Sequence, residues 1–258
     1  MNKKKVFIIV AIVALILLIV VLTKGLKPKK ADKLTAKEIK EDVKNNINDL
    51  TTTDLNYEKF KNIIGENVPN VHIALGKDSY LRNKPSAKVI SKYNLTKYVN
   101  LQEQLAKKVE QRYLNSLNYK IKETIDMGDQ ICQKVEISSY YYALYLYDYL
   151  DLTNNMTDVG AEDAATNEKA QVEFYKNSVK ALKVLDAHLD DYENTTKEKV
   201  EDDICYKNGK IDSDDMLGFV GALQGENYSN MNISSVINQN KAKERLAKYL
   251  EEAKNINI

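Results

Sequence analysis

The residues best equipped for chemistry in this 258-residue chain are two cysteines, two histidines and several groups of carboxylates. Cys132 and Cys205 both fall in segments whose apolar and polar residues alternate as in strands. An even pair in an exported domain suggests a disulfide; two buried free thiols filling core positions is the competing reading. Closing a loop of that length would add on the order of 4 kcal/mol in the chain-entropy model. The cysteines are far apart and neither His72 nor His188 has ligand spacing, so no metal site is expected from them. His188 lies among Asp186, Asp190 and Asp191, where a metal or acid–base role is conceivable. Leu185 and Tyr192 flank it at helical spacing, however, and make it a surface or boundary histidine.

The stretch KNGKIDSDDML, 207–217, looks like the second half of a calcium loop, with Gly209 at the sharp turn and Asp212 and Asp215 as later ligands. The first two ligand positions would then be Ile204 and Tyr206, which have no carboxylate to offer. A hairpin turn followed by a helix cap explains the same residues. No serine elbow, His-Glu-x-x-His pair or phosphate-binding glycine loop occurs; Gly218, Gly221 and Gly225 lack the lysine and spacing for phosphate. No catalytic residue, metal or cofactor is therefore assigned. The most unusual local composition is Tyr140, Tyr141, Tyr142, Tyr145, Tyr147 and Tyr149. Tyrosine joins a large apolar body to a polar tip, so this run is the expected binding surface. The alternative is a boundary helix or strand whose rings pack on the core.

The elements that must hold these groups follow from periodicity. Thr35 to Glu38 is a capping box, and Ile39, Val43, Ile47 and Leu50 recur behind it at helical spacing. A second short helix carries Tyr57, Phe60, Ile63 and Ile64. Residues 65–95, with Gly65, Pro69, Gly76 and Pro85, read as loop with short extended pieces. A third helix starts at Thr96. The period then changes to two over 119–125 and 130–137, around a turn at Gly128, which predicts a β-hairpin. For 138–152, strand and buried helix both fit. Residues 153–166 are polar and acidic, a loop. A long helix carries Val172 to Tyr192, a strand covers 199–211 with a turn near Gly209, a short helix follows Ser213, and a last helix runs from about Ser234 to Lys254. The expected fold is α+β and helix-rich: an N-terminal transmembrane helix, then helices packed on one face of a small antiparallel sheet of about three strands.

That transmembrane assignment rests on Val6 to Leu22, seventeen uninterrupted apolar residues. A helix of that length spans roughly 26 Å, the short end of a bilayer crossing. Lys3, Lys4 and Lys5 precede it, and no small-residue cleavage pattern or lipid-attachment cysteine follows, so an uncleaved signal anchor is expected. Lysines flank both ends almost evenly, and the short N-terminal tail with a large C-terminal domain favours the topology that puts residues 24–258 on the outer side. The expected organisation is an anchor at 1–23, a basic juxtamembrane linker at 24–33, an extracytoplasmic domain at 34–226 and a C-terminal helix at 227–258. Setting aside the seven lysines around the anchor leaves 31 basic against 37 acidic residues, a net charge of −6. Such a domain repels phosphate backbones, which argues against nucleic acid as a partner.

The order helix, NYKIKETIDMGDQICQKVEI, helical insertion, VEDDICYKNGKIDSDDMLGFVGALQG resembles the cone-shaped nuclear-transport-factor-two-like domains of extracytoplasmic lipoproteins in low-GC bacteria. The likeness covers roughly 34–226. Those domains often end in Lys-x-Gly-Lys-Trp-x-Ile-Asp; this chain has Lys207 to Lys210 but no tryptophan. The resemblance implies a fold and a location and no activity. Function is thus expected to be a membrane-anchored extracytoplasmic binding domain at the cell envelope. Its partner would be an envelope protein, a wall polymer or a small ligand. An envelope hydrolase using carboxylates, or a purely structural membrane component, are the alternatives.

Overall fold

The computed structural model describes residues 34–64, 73–140, 142–157, 167–194, 198–207, 210–211, 219–221, 223 and 239–258. The apolar segment 6–22, His72, Tyr141, Gly209 and residues 212–218 and 224–238 lie outside the described residues. The domain is α+β and helix-rich, with an antiparallel sheet, as the periodicity predicts.

Helix α1 (Ala36–Leu50) begins at the expected capping box. The Thr35 hydroxyl accepts the Glu38 N–H at 3.3 Å, and the Glu38 carboxylate accepts the Thr35 N–H at 2.7 Å. Its buried stripe is Ile39, Val43, Ile47 and Leu50. After α2 (Tyr57–Ile64), a 3-10 turn spans Tyr80–Arg82 and α3 covers Ala87–Lys92. Part of the stretch expected to be loop is therefore helical. Pro85 ends the extended run, and the Ser86 side chain caps α3 by accepting the Val89 N–H at 3.4 Å. Helix α4 (Thr96–Ser116) leads into strands β1 (Asn118–Asp126) and β2 (Gln130–Ser139). The undecided tyrosine-rich stretch is helix α5 (Tyr142–Met156), which runs into the residues expected to be loop. Then come α6 (Glu168–Ala187), α7 (Leu189–Glu193), β3 (Glu198–Lys207), the two-residue β4 (Lys210–Ile211) and α8 (Gln239–Lys254).

The sheet runs in the order β1-β2-β3-β4, antiparallel throughout. Val135, Ile137, Ile204 and Tyr206 point to one face and pack with α1 and with Phe219, Val220 and Leu223. Cys132, Lys134, Glu136 and, opposite them, Cys205, Asp203 and Glu201 occupy the other face. Between Ile121 and Thr124 the β1 register slips by one residue against β2. The buried Gln133 holds this bulge: its amide donates to the Glu123 carbonyl at 2.6 Å and accepts the Thr124 hydroxyl at 2.8 Å. Strict alternation would keep Ile125 on the Ile121 side. The bulge transfers it to the opposite face, directly across from Cys132.

Most helices do not lie on the sheet. Helices α4 to α8 bundle with one another around Leu105, Val109, Tyr113, Tyr145, Leu182 and Leu185. A third cluster joins Val89 and Leu95 to Tyr175 and Val179 of α6. The departure from the expected layering has a simple cause. Helix α5 is buried on nearly every side, so it needs helical neighbours all round, which one sheet face cannot supply.

Candidate functional site

A turn at 73–85 forms one wall of an open groove, and long-range contacts build that wall. The Lys77 N–H donates to the Leu55 carbonyl at 2.6 Å. The Asp78 carboxylate accepts the N–H of Tyr57, first residue of α2, at 2.8 Å. Gly76 has φ +97°, and a Cβ there would stand 2.2 Å from the Leu55 carbonyl oxygen. Gly76→Ala is accordingly expected to cost about 2–3 kcal/mol, combining the left-handed penalty with overpacking against backbone. Chemical denaturation of the variant checks this; a loss below about 0.5 kcal/mol would contradict the close approach.

The wall is fixed to α4 by buried polar groups. Glu110 is 0% exposed and Arg82 5%. The Arg82 guanidinium donates through Nε and Nη2 to the Glu110 carboxylate and through Nη1 to Glu103 at 2.7 Å. The Ser79 hydroxyl donates to Glu110 at 2.7 Å. Burial pushes the Glu110 carboxyl up to about 7, against the pull of Arg82, Ser79 and the Gly76 N–H. About two turns earlier on α4, Gln102 donates to the Asn83 carbonyl at 2.8 Å and accepts the Tyr175 hydroxyl at 2.9 Å. Gln102 thereby sets the distance between the wall and α6.

The groove has a volume of about 330 Å³. Tyr80, Asn83, Lys84 and Pro85 form its near wall; Tyr149, Leu150 and Thr153 come from α5; Gln171, Phe174, Tyr175 and Ser178 come from α6. Hydroxyls at its base are used internally: Thr153 donates to the Tyr149 carbonyl at 2.8 Å and Ser178 to the Tyr175 carbonyl at 2.7 Å. Desolvation pushes the Tyr149 phenol up to about 12, so it stays neutral. A second, polar recess of about 570 Å³ lies beside the same turn, lined by Lys77, Asp78, Ser79, Arg82 and Glu103 and sharing Tyr80, Asn83 and Lys84. The groove is mostly apolar, with a few fixed polar groups, as ligand sites are. Among the described residues no strand residue lines it.

In the tyrosine run the described rings mostly pack on the core, the alternative given above to a binding surface. Tyr140, Tyr142 and Tyr145 are buried to 1% exposure or less and form a core stack with Tyr113 and Tyr192, so they offer no surface. Their rings fill the space between α4, α5 and α7. Tyr147 is 44% exposed and stands outside the groove. Tyr149 alone of the run lines the groove, and Tyr141 lies outside the described residues. The groove wall at 80–85 went unread because its form depends on partners dozens of residues away. The local signal was the exposed polar pair Asn83-Lys84 before a proline.

Cys132 and Cys205 stand opposite each other in the ladder and are joined by a disulfide, with their Cα atoms 4.0 Å apart. His188 sits between α6 and α7, its Nε2 2.7 Å from the Glu252 carboxylate and its ring stacked 4.4 Å from that of Tyr249. It ties α8 to the bundle. Among the described residues no group of three His, Cys, Asp or Glu could hold a metal ion. Of the calcium-like stretch, Lys207, Lys210 and Ile211 are strand, and the remaining positions lie outside the described residues. Among the described residues no helix is long and apolar enough to cross a membrane. Compared with protein-family models, curated proteins and solved structures, the chain matches none.

Proposed function

We propose that this chain is a binding domain tethered to a membrane by Val6–Leu22, facing the extracytoplasmic side and taking its ligand in the groove between Tyr80–Pro85, α5 and α6. The observation that carries the reading is the groove itself. Its walls are held by satisfied, buried polar groups, so little ordering remains to be done on binding. The Cys132–Cys205 bridge supports the location, since such bonds persist in oxidising compartments. The basic tail and the seventeen-residue apolar run support the tether. The likeness to extracytoplasmic cone-shaped domains belongs to the same reading.

Protease treatment of intact protoplasts, followed by blotting with an antibody raised against the folded domain, tests the location. Loss of the signal from unbroken protoplasts is the expected result. Survival until the membrane is opened would place the domain inside and overturn the assignment. Trapping of free thiols in the same cells gives a second readout. The expected result is that neither cysteine labels until a reductant is added.

A further inference from the structure

Behind the groove the polar groups named above are used by the fold; at its mouth three are not. The side-chain carboxamides of Asn83 and Gln171 and the ammonium of Lys84 have no partner among the described residues. The other charges around the two recesses are engaged: Lys77 with Asp54, Asp78 with the Tyr57 N–H, and Arg82 with Glu103 and Glu110. Among the described residues Lys84 is thus the charged group there left for a ligand, and it lines both recesses.

We propose that the groove binds an extended peptide. A bulky apolar side chain enters between Tyr149, Leu150 and Phe174, the adjoining main chain meets Asn83 and Gln171, and an aspartate or glutamate side chain pairs with Lys84. The assignment rests on the reading of the groove as a ligand site. Each carboxamide offers both a donor and an acceptor, which is what a main-chain amide requires. Side chains alternate along an extended chain, so an acidic residue two positions from the apolar one lies on the same side as it and can pair with Lys84. A glycan fits less well. Sugars lie on open aromatic faces, whereas Tyr149 and Tyr175 are 4% and 3% exposed, Tyr80 and Phe174 are half-buried, and the exposed apolar group at the rim is Leu150 at 43%. That is a cleft for an inserted side chain.

The chain contains no tryptophan, so a tryptophan-bearing peptide reports its own burial. The probe is acetyl-Gly-Ser-Trp-Ser-Glu-Gly-amide, titrated against the full-length protein in lipid nanodiscs, with empty nanodiscs as the blank. The emission is expected to shift to the blue and saturate. Replacing the peptide's glutamate by glutamine, or Lys84→Ala in the protein, should each weaken binding about tenfold, and the two changes together should weaken it little further. Leu150→Asp should abolish the shift, while Tyr147→Ala, on the same helix but outside the groove, should leave it intact. Equal binding of the glutamate and glutamine peptides, or no shift at all, overturns the peptide assignment. If an N-acetylglucosamine oligomer then stabilises the protein in a Leu150-dependent way, the groove remains a ligand site of another class. If neither probe binds, the groove reading falls as well, while the location is decided separately by the protoplast experiment.

Discussion

Replacing Arg82 by alanine is expected to lower the unfolding free energy by about 3–5 kcal/mol. The guanidinium and the Glu110 carboxylate sit together in the interior, and removing one leaves the other charged and without its main partner. The loss should depend on pH, and its sign follows from Glu110. Its folded pKa, about 7, lies above the ordinary glutamate value of 4.5, so between those limits the folded chain holds a proton that the unfolded chain has released. The stability contributed by this group is fully present below 4.5 and falls as pH rises through about 7. Without Arg82 the carboxyl loses the largest force pulling its pKa down, so the proton is held still more tightly. At pH 5 Glu110 is a neutral acid with or without Arg82 and the substitution is tolerated better; at pH 8 the variant must take a proton from a poor supply or bury an unpaired carboxylate, and either costs stability. Denaturation of Arg82→Ala at these two values should therefore show the larger loss at pH 8. Equal losses at both would mean that Glu110 does not titrate as its surroundings require. The paired change Arg82→Met with Glu110→Leu should recover much of the stability, since a well-packed apolar pair avoids the cost of burying ions.

The second large effect concerns the bridge across β2 and β3. The double variant Cys132→Ala, Cys205→Ala is expected to lose about 4 kcal/mol, the chain-entropy value for a loop of this length. The cysteines are 73 residues apart, and the loop between them contains α5, α6 and α7. Reduction of the wild-type protein should bring its denaturation midpoint down to that of the double variant, and the variant itself should not respond to reductant. A midpoint indifferent to reductant would show that the thiols are not bonded in the purified protein. Because the loop spans the tyrosine-rich helix, the variant should also lose near-ultraviolet tyrosine signal earlier in the transition than the wild type.

Local signals were legible in the sequence and long-range ones were not. The α1 capping box needs only residues 35 to 38, so it could be read directly. The β1–β2 hairpin was also local, although its bulge was hidden: Gln133 sits on the neighbouring strand, and nothing in β1 alone marks the extra residue. Helix or strand could not be chosen for the tyrosine run because α5 is apolar around almost its whole circumference, which removes the periodicity that would decide. Glu110 resembles any polar position of an amphipathic helix. Its burial comes from Ser79 and Arg82, about thirty residues earlier in the chain. The groove inherits the same difficulty, because each of its three walls comes from a different part of the chain.

The bulge in β1 has one more effect. A sheet with an open edge can recruit another chain by continuing its hydrogen-bond ladder, a route to aggregation and also a common mode of peptide capture. Among the described residues β1 is one edge of this sheet; its row of main-chain groups is interrupted between Ile121 and Thr124, where Lys122 and Glu123 stand. At the other edge β4 contributes only two residues. Because β4 covers only Tyr206 and Lys207 of β3, the interruption that hinders addition of another strand lies on the β1 side. A chain approaching the β1 edge therefore meets an interrupted main-chain ladder and is left to recognise side chains there.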